Sequence, residues 1–402
     1  MSDNISPEQH RSEIASLNHE IYTLRRRLDE RGISEYSANR HDPFNNPTEY
    51  HEYAGDYSKI LPQSADGSFE IPLEPRKEER KRIKKFYAIA GGCMLAHFIV
   101  SDYLASAIMA IIFSVIQGMN PDIEVSVIKE YLRTSSIIAG LTLIVYTLTN
   151  LGFASLGIKL SGDNRLDLVR TRNYSVGKGL QYCSIGIFLL FLATIASIFF
   201  ESIFSRYGYT TDVMNTEGMA VTNMGKIIMM VYTCIIAPVT EEVFFRGMLL
   251  KTFSKANQRF AIFISALFFG LSHANIPQFL LAFTLGIFLA HITLIHGSII
   301  PAIIVHAFLN TYSSISSELD LSGRALILFN EIFIFLAIMG CAMLIVFRIE
   351  HKLPATTPAQ TRRGFSLAIV SPLVAAALVI QVLYTLSLIF SSPLLDFVRM
   401  YF

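Results

Sequence analysis

The chain predicts an all-α, polytopic transmembrane helix bundle, and three observations carry that reading. Of its 402 residues, 52% are hydrophobic and only 16% charged, far from the averages of a soluble domain. Several apolar runs exceed the roughly 18 residues that mark a membrane helix. The cations between those runs concentrate in alternate loops, the pattern of positive-inside topology. The formal charge of +1 gives no reason to expect a nucleic-acid partner.

Residues 1–85 are a hydrophilic, cytosolic extension. Within it "EIASLNHEIYTLRRRLDERG" sets Ile14, Leu17, Ile21, Leu24 and Leu28 at alternating spacings of three and four, a heptad seam that predicts a short coiled-coil-like helix over about residues 12–31. Roughly three heptads are marginal alone. The helix is expected either to dock on its own protein or to join a second copy or a cytosolic partner through residues 14–28. A linker rich in Asn, Asp, Pro, Tyr and Ser follows Gly32, and the basic cluster "PRKEERKRIKK" then abuts the first span as an inside-facing anchor on anionic lipid. No signal peptide precedes the apolar run near Phe86, which places the N-terminus in the cytosol.

The bundle, residues 86–402, reads as eight to nine spans. They are Phe86 to Gln117, Ser135 to Leu156, Gly179 to Phe200, Lys226 to Leu250 and beyond, Phe260 to His273, Ile276 to Ile295, Ser298 to Ser314, Ala325 to Phe347, and Phe365 to Phe390. Lys159, Arg165, Arg170, Arg172 and Lys178 fall in one predicted inner loop, Lys251, Lys255 and Arg259 in the next, and Arg348, Lys352, Arg362 and Arg363 in a third. An odd span count puts the C-terminus outside. Cys93, Cys183, Cys234 and Cys341 sit within spans with no CxxC spacing, as small core residues and not as a thiolate site.

Polar groups interrupt the apolar sequence where lipid penalises them most. "APVTEEVFFRG" puts Glu241, Glu242 and Arg246 inside a span, where each charge costs about 2.5–3.5 kcal/mol on insertion scales. "FGLSH" adds Phe269 and His273, and "HAFLN" adds His306 and Asn310. Such clustering reads as a site. Glu242 and Arg246, four residues apart, share a helix face and are expected to pair, which leaves Glu241 pointing elsewhere around the helix. Counting outward from the turn "SKANQ" places Glu241 and His273 at equal depth, His306 shallower and Asn310 nearer their level. His291 and His296 are read as structural or interfacial. His97 and Asp102 are read as pairing with another helix, and Glu331 as meeting a loop or cavity.

A carboxylate in a partly desolvated pocket with two histidines can act as a general base near neutral pH. Glu241 can take a proton from water, a histidine can hold that water or protonate the departing amine, and Asn310 or the other histidine can stabilise an oxyanion. That set suffices for amide hydrolysis without a nucleophilic serine or cysteine. The same residues leave other readings open. Glu241, His273 and His306 form a two-histidine, one-carboxylate set suited to zinc, although no HExxH helix is present. Intramembrane Glu and His also build proton relays, but no inverted repeat accompanies them here. A non-catalytic scaffold binding a kinase or envelope enzyme is the remaining class.

Glu-Glu-x-x-x-Arg, Phe-x-x-x-His and His-x-x-x-Asn, in this order on successive membrane helices, resemble the CAAX-processing and bacteriocin-processing (CPBP, or Abi) intramembrane proteases. The resemblance covers about residues 225–320. It implies a metal-independent glutamic peptidase without a cofactor, acting on a membrane-associated peptide or protein. It also implies that Glu241 activates water with His273, that His306 and Asn310 bind the oxyanion, and that Glu242, Arg246 and Phe269 shape the site. The family branch implies a bacterial plasma membrane.

Overall fold

The computed structural model describes residues 75–134, 136–171, 174–207, 222–319, 321–351 and 371–401. The heptad segment 14–28 and its linker lie outside the described residues. So do Arg172, Lys352, Arg362 and Arg363 among the inner-loop cations. Every described element is helical.

In chain order the helices are α1 (Pro75–Met119), α2 (Val125–Thr134), α3 (Ile137–Ser161), α4 (Val176–Phe204), α5 (Asn223–Ser254), α6 (Gln258–Leu271), α7 (Ile276–His296), α8 (Ile300–Glu318), α9 (Gly323–Glu350) and α10 (Pro372–Tyr401). Each of the nine runs read from sequence overlaps a described helix, the last from Pro372 onward. Six of them are long and apolar enough to cross a membrane among the described residues, within α1, α3, α4, α5, α7 and α9. The 14-residue α6 rises only about 21 Å, short of a hydrocarbon core of about 30 Å. The extra helix, α2, is amphipathic: Ile128 and Leu132 are buried while Val127 and Tyr131 are exposed.

Local signals set the hairpins. Asn257 and Asn275 cap α6 and α7, their side-chain oxygens each accepting a backbone N–H at 2.8 Å, as N-caps do. Gly297 ends α7 at φ 61° and Gly162 ends α3 at φ 76°, left-handed conformations that favour glycine.

Two apolar clusters form the core. One gathers Tyr87, Phe244, Met248, Phe253, Phe260, Phe268 and Val374 from α1, α5, α6 and α10. The other gathers Tyr182, Leu289, Val305, Leu309 and Phe347 from α4, α7, α8 and α9. Helix α7 contributes to both, adding Ala290 and Leu294 to the first, so the seam between the clusters runs along α5, α6, α7 and α8. Small residues bring backbones together, as in many membrane bundles. A Cβ added to Gly340 of α9 would overlap the carbonyl group of Ser184 in α4, an obstacle no rotamer change relieves. Gly340→Ala is therefore expected to destabilise the bundle by about 1–3 kcal/mol. Gly140→Ala, whose added methyl meets nothing within 4 Å, should not. Thermal unfolding in detergent separates the two.

The loops read as cytosolic meet at one end of the bundle. Ile299 N–H donates to the Leu168 carbonyl at 2.9 Å, and Asp163 receives Lys255 at 2.9 Å and Lys251 at 4.0 Å. Both lysines are buried, whereas the sequence places them in a loop among cations expected to face water. Lys255 also donates to the Ser161 carbonyl at 2.9 Å and lies 4.7 Å from the Phe86 ring centroid. A buried ammonium needs such partners because desolvation is otherwise uncompensated. All four cysteines are free.

Candidate active site

Helix α5 is not uniform. Two π-helical segments, Tyr232–Ile236 and Val243–Leu250, flank a six-residue α segment, Ala237–Glu242, that ends on the paired glutamates. Pro238 supplies a local reason. In the first π segment the Ala237 N–H donates to the Tyr232 carbonyl, so the Thr233 carbonyl should receive the N–H of residue 238, and proline has none. Asn310 fills that vacancy: its Nδ2 donates to the Thr233 carbonyl at 2.9 Å. Widened turns of this kind are frequent at functional sites.

Glu242 and Arg246 pair as their spacing predicts, with Nη1 at 2.9 Å from Oε1 and both side chains fully buried. The guanidinium is held twice more. Its Nη2 donates to the Gly286 carbonyl of α7 at 3.5 Å, and its carbon lies 4.3 Å from the Phe269 ring centroid, a cation–π contact. Gly286 is needed there, since a Cβ would sit 3.4 Å from Nη2 and 3.1 Å from Ala266.

His306 lies between the two glutamates. Its Nδ1 is 2.9 Å from Glu242 Oε1, and its Nε2 is 3.8 Å from Glu241 Oε2. A carboxylate only accepts, so Nδ1 carries the proton and donates. This fixes the ring orientation and turns Nε2 toward Glu241. The Glu241 side chain retains 19% exposure, against none for Glu242. Glu241 is thus the carboxylate that faces open space.

His273 does not lie on α6 but in the turn after it, between Leu271 and the Asn275 cap, with Ala274 at φ 56°. The expected helix to His273 stops short at Leu271, where the chain turns back into α7. The turn's backbone is partly satisfied by a side chain: Asn275 Nδ2 donates to the His273 carbonyl at 3.1 Å. His273 meets Phe269 edge-on at 5.3 Å, and His306 meets the same ring at 5.5 Å. These contacts join Glu241, Glu242, Arg246, Phe269, His273 and His306, while Asn310 bonds the Thr233 carbonyl.

Their relative depths differ from the simple count. His306, expected shallower, is level with both glutamates, while Asn310 sits beside Thr233, nearly two turns farther along α5 from Glu241. A π turn takes more residues and rises less per residue, so uniform α-helical counting misplaces α5 against α8. His296, read as structural or interfacial, is buried and bonded to the Tyr182 hydroxyl at 2.9 Å, and His291 packs on Phe347. Among the described residues no three His, Cys, Asp or Glu side chains are grouped to hold a metal ion. Sequence reasoning missed Gly286 and Thr233, because a backbone carbonyl has no residue-type signature.

Residues 223–312 match the family model described as "Type II CAAX prenyl endopeptidase Rce1-like". No curated protein and no solved structure matches the chain. The match covers under a quarter of the sequence but includes every motif residue, and with the long apolar helices it supports an integral membrane protein. At the level of the family it points to a CAAX-type endopeptidase, a hydrolase. On residues 223–312 the family that the three motifs resemble is thus the one whose model the chain matches, that of the Rce1-like CAAX prenyl endopeptidases.

Proposed function

We propose that this protein is an intramembrane endopeptidase that hydrolyses a peptide bond of a membrane-associated protein or peptide with water activated by Glu241, without a metal. The observation that carries the reading is His306 held between the two glutamates, 2.9 Å from Glu242 and 3.8 Å from Glu241. Glu242 and Arg246 neutralise each other and fix His306. Glu241, the exposed member of the pair, accepts a proton from water, and the resulting hydroxide attacks the scissile carbonyl carbon. The 3.8 Å gap between Glu241 and His306 is too long for a direct hydrogen bond, and a reacting water or oxyanion can be shared across it. His306, supported as a cation by Glu242, and the second Nδ2–H of Asn310 stabilise the oxyanion. His273 holds the water with Glu241, and the proton taken by Glu241 passes to the departing amine as the C–N bond breaks.

The family description makes a prenylated C-terminal peptide the first substrate to try. The full-length protein in liposomes should cleave a fluorogenic farnesylated CAAX peptide, keep that activity in 1,10-phenanthroline, and contain no stoichiometric zinc. Loss on chelation with recovery on added zinc would replace the free glutamate base with a zinc-bound water. A host deletion phenotype fully rescued by Glu241→Gln protein would instead favour a scaffold.

A further inference from the structure

Outside the family match, two residues of the first spans reach the helix that bears the glutamates. His97 of α1 donates from Nε2 to Asn150 Oδ1 of α3 at 2.7 Å, and Asn150 Nδ2 donates to Thr240 Oγ1 of α5 at 3.2 Å. The Thr240 hydroxyl in turn donates to the Ala237 carbonyl at 3.3 Å. Each donor in this chain has one acceptor, so its direction is fixed: an amide oxygen only accepts, and His97 must present Nε2–H. All three side chains are buried.

The His97 ring also lies stacked on Phe244, with centroids 4.4 Å apart and planes at 26°. Thr240 and Phe244 are four residues apart on α5, so His97 grips the same helix on two successive turns, through Asn150 and through its ring. Glu241 and Glu242 are the two residues immediately after Thr240, directed around the helix from the gripped face. The π segments on both sides interrupt the α-helical ladder that would otherwise run unbroken through this short α stretch and hold its rotation.

We infer that His97, Asn150 and Thr240 are positioning residues for the reaction. Their chain sets the rotation of Ala237–Glu242, so that Glu241 faces His306 and the water between them. The assignment rests on the glutamate-base reading above, and its test has one arm independent of turnover.

Thr240→Val keeps the shape of the side chain but removes the hydroxyl, and Asn150→Leu removes both amide contacts. On the farnesylated peptide each should lower kcat by about 10- to 100-fold with KM within about twofold. The double variant should be no slower than the worse single one, as for residues acting as a unit. Thr240→Ser, which restores the hydroxyl, should recover most of the rate. In the second arm a hydrophobic carbodiimide is reacted with the detergent-solubilised protein, and modification of Glu241 is followed by peptide mass spectrometry. Thr240→Val should change that rate severalfold at unchanged thermal stability. Unaltered kcat and labelling in folded Thr240→Val and Asn150→Leu protein would overturn the inference, as would a rate loss accounted for entirely by unfolded protein. If wild-type protein leaves the peptide uncut but labelling still responds to Thr240→Val, the positioning role stands and the proposed reaction fails.

Discussion

Glu241→Gln protein is expected to insert and fold as wild type does while cleaving about 10²- to 10⁴-fold more slowly, the range in which a positioned general base contributes. Glutamine keeps the shape of the side chain and its hydrogen-bonding capacity but cannot take a proton. Among the described residues Glu241 pairs with His306 Nε2 at 3.8 Å, longer than a hydrogen bond, so neutralising it leaves no strong contact unmet. The loss should therefore fall on kcat and not on stability. Cleavage of the farnesylated peptide and a thermal midpoint, measured on the same preparation, check both halves. Turnover at the wild-type rate would exclude Glu241 as the base.

Arg246→Met should do the opposite first. It is expected to destabilise the bundle by about 3–5 kcal/mol, the usual consequence of removing one partner of a buried pair. Glu242 would then remain fully buried with only His306 to balance it. Methionine still packs against Phe269 but returns neither the 2.9 Å bond to Glu242 nor the contact with the Gly286 carbonyl. Arg246→Lys keeps the charge without the planar fork, and the expected result is an intermediate midpoint with impaired turnover. A variant combining Glu242→Gln with Arg246→Met tests the cause: it should regain much of the stability lost in Arg246→Met alone, because the uncompensated charge is gone, yet remain poorly active since His306 has lost the carboxylate that orients it. Thermal unfolding of the three variants decides the matter, and no recovery in the double variant would show that Arg246 acts through packing.

Much of the site was legible because its chemistry is costly in lipid. Glu241, Glu242 and Arg246 stand out inside a span since nothing but function or pairing compensates their desolvation, and the Glu242–Arg246 pair follows from helix geometry alone. The Gly286 carbonyl, the Asn310 bond to Thr233 and the Asn150–Thr240 tie were not legible. Each joins residues far apart in sequence, and two of them end on backbone atoms that every residue type carries. The depth count failed at His306 for a related reason: the stretch from Glu241 to the turn runs through the second π segment, Val243–Leu250, and no residue type within it announces the widened turns.

By itself the sequence determined the bundle of long apolar helices and most of the residues that meet around His306, because the cost of exposing polar groups to lipid is paid locally and so is written locally. Only the tertiary structure decided which histidine faces which glutamate. The 3.8 Å approach of His306 to Glu241 depends on the shortened rise of α5, the end of α6 at Leu271 and the packing of α8 across both. These are relations between helices, and no single segment encodes them.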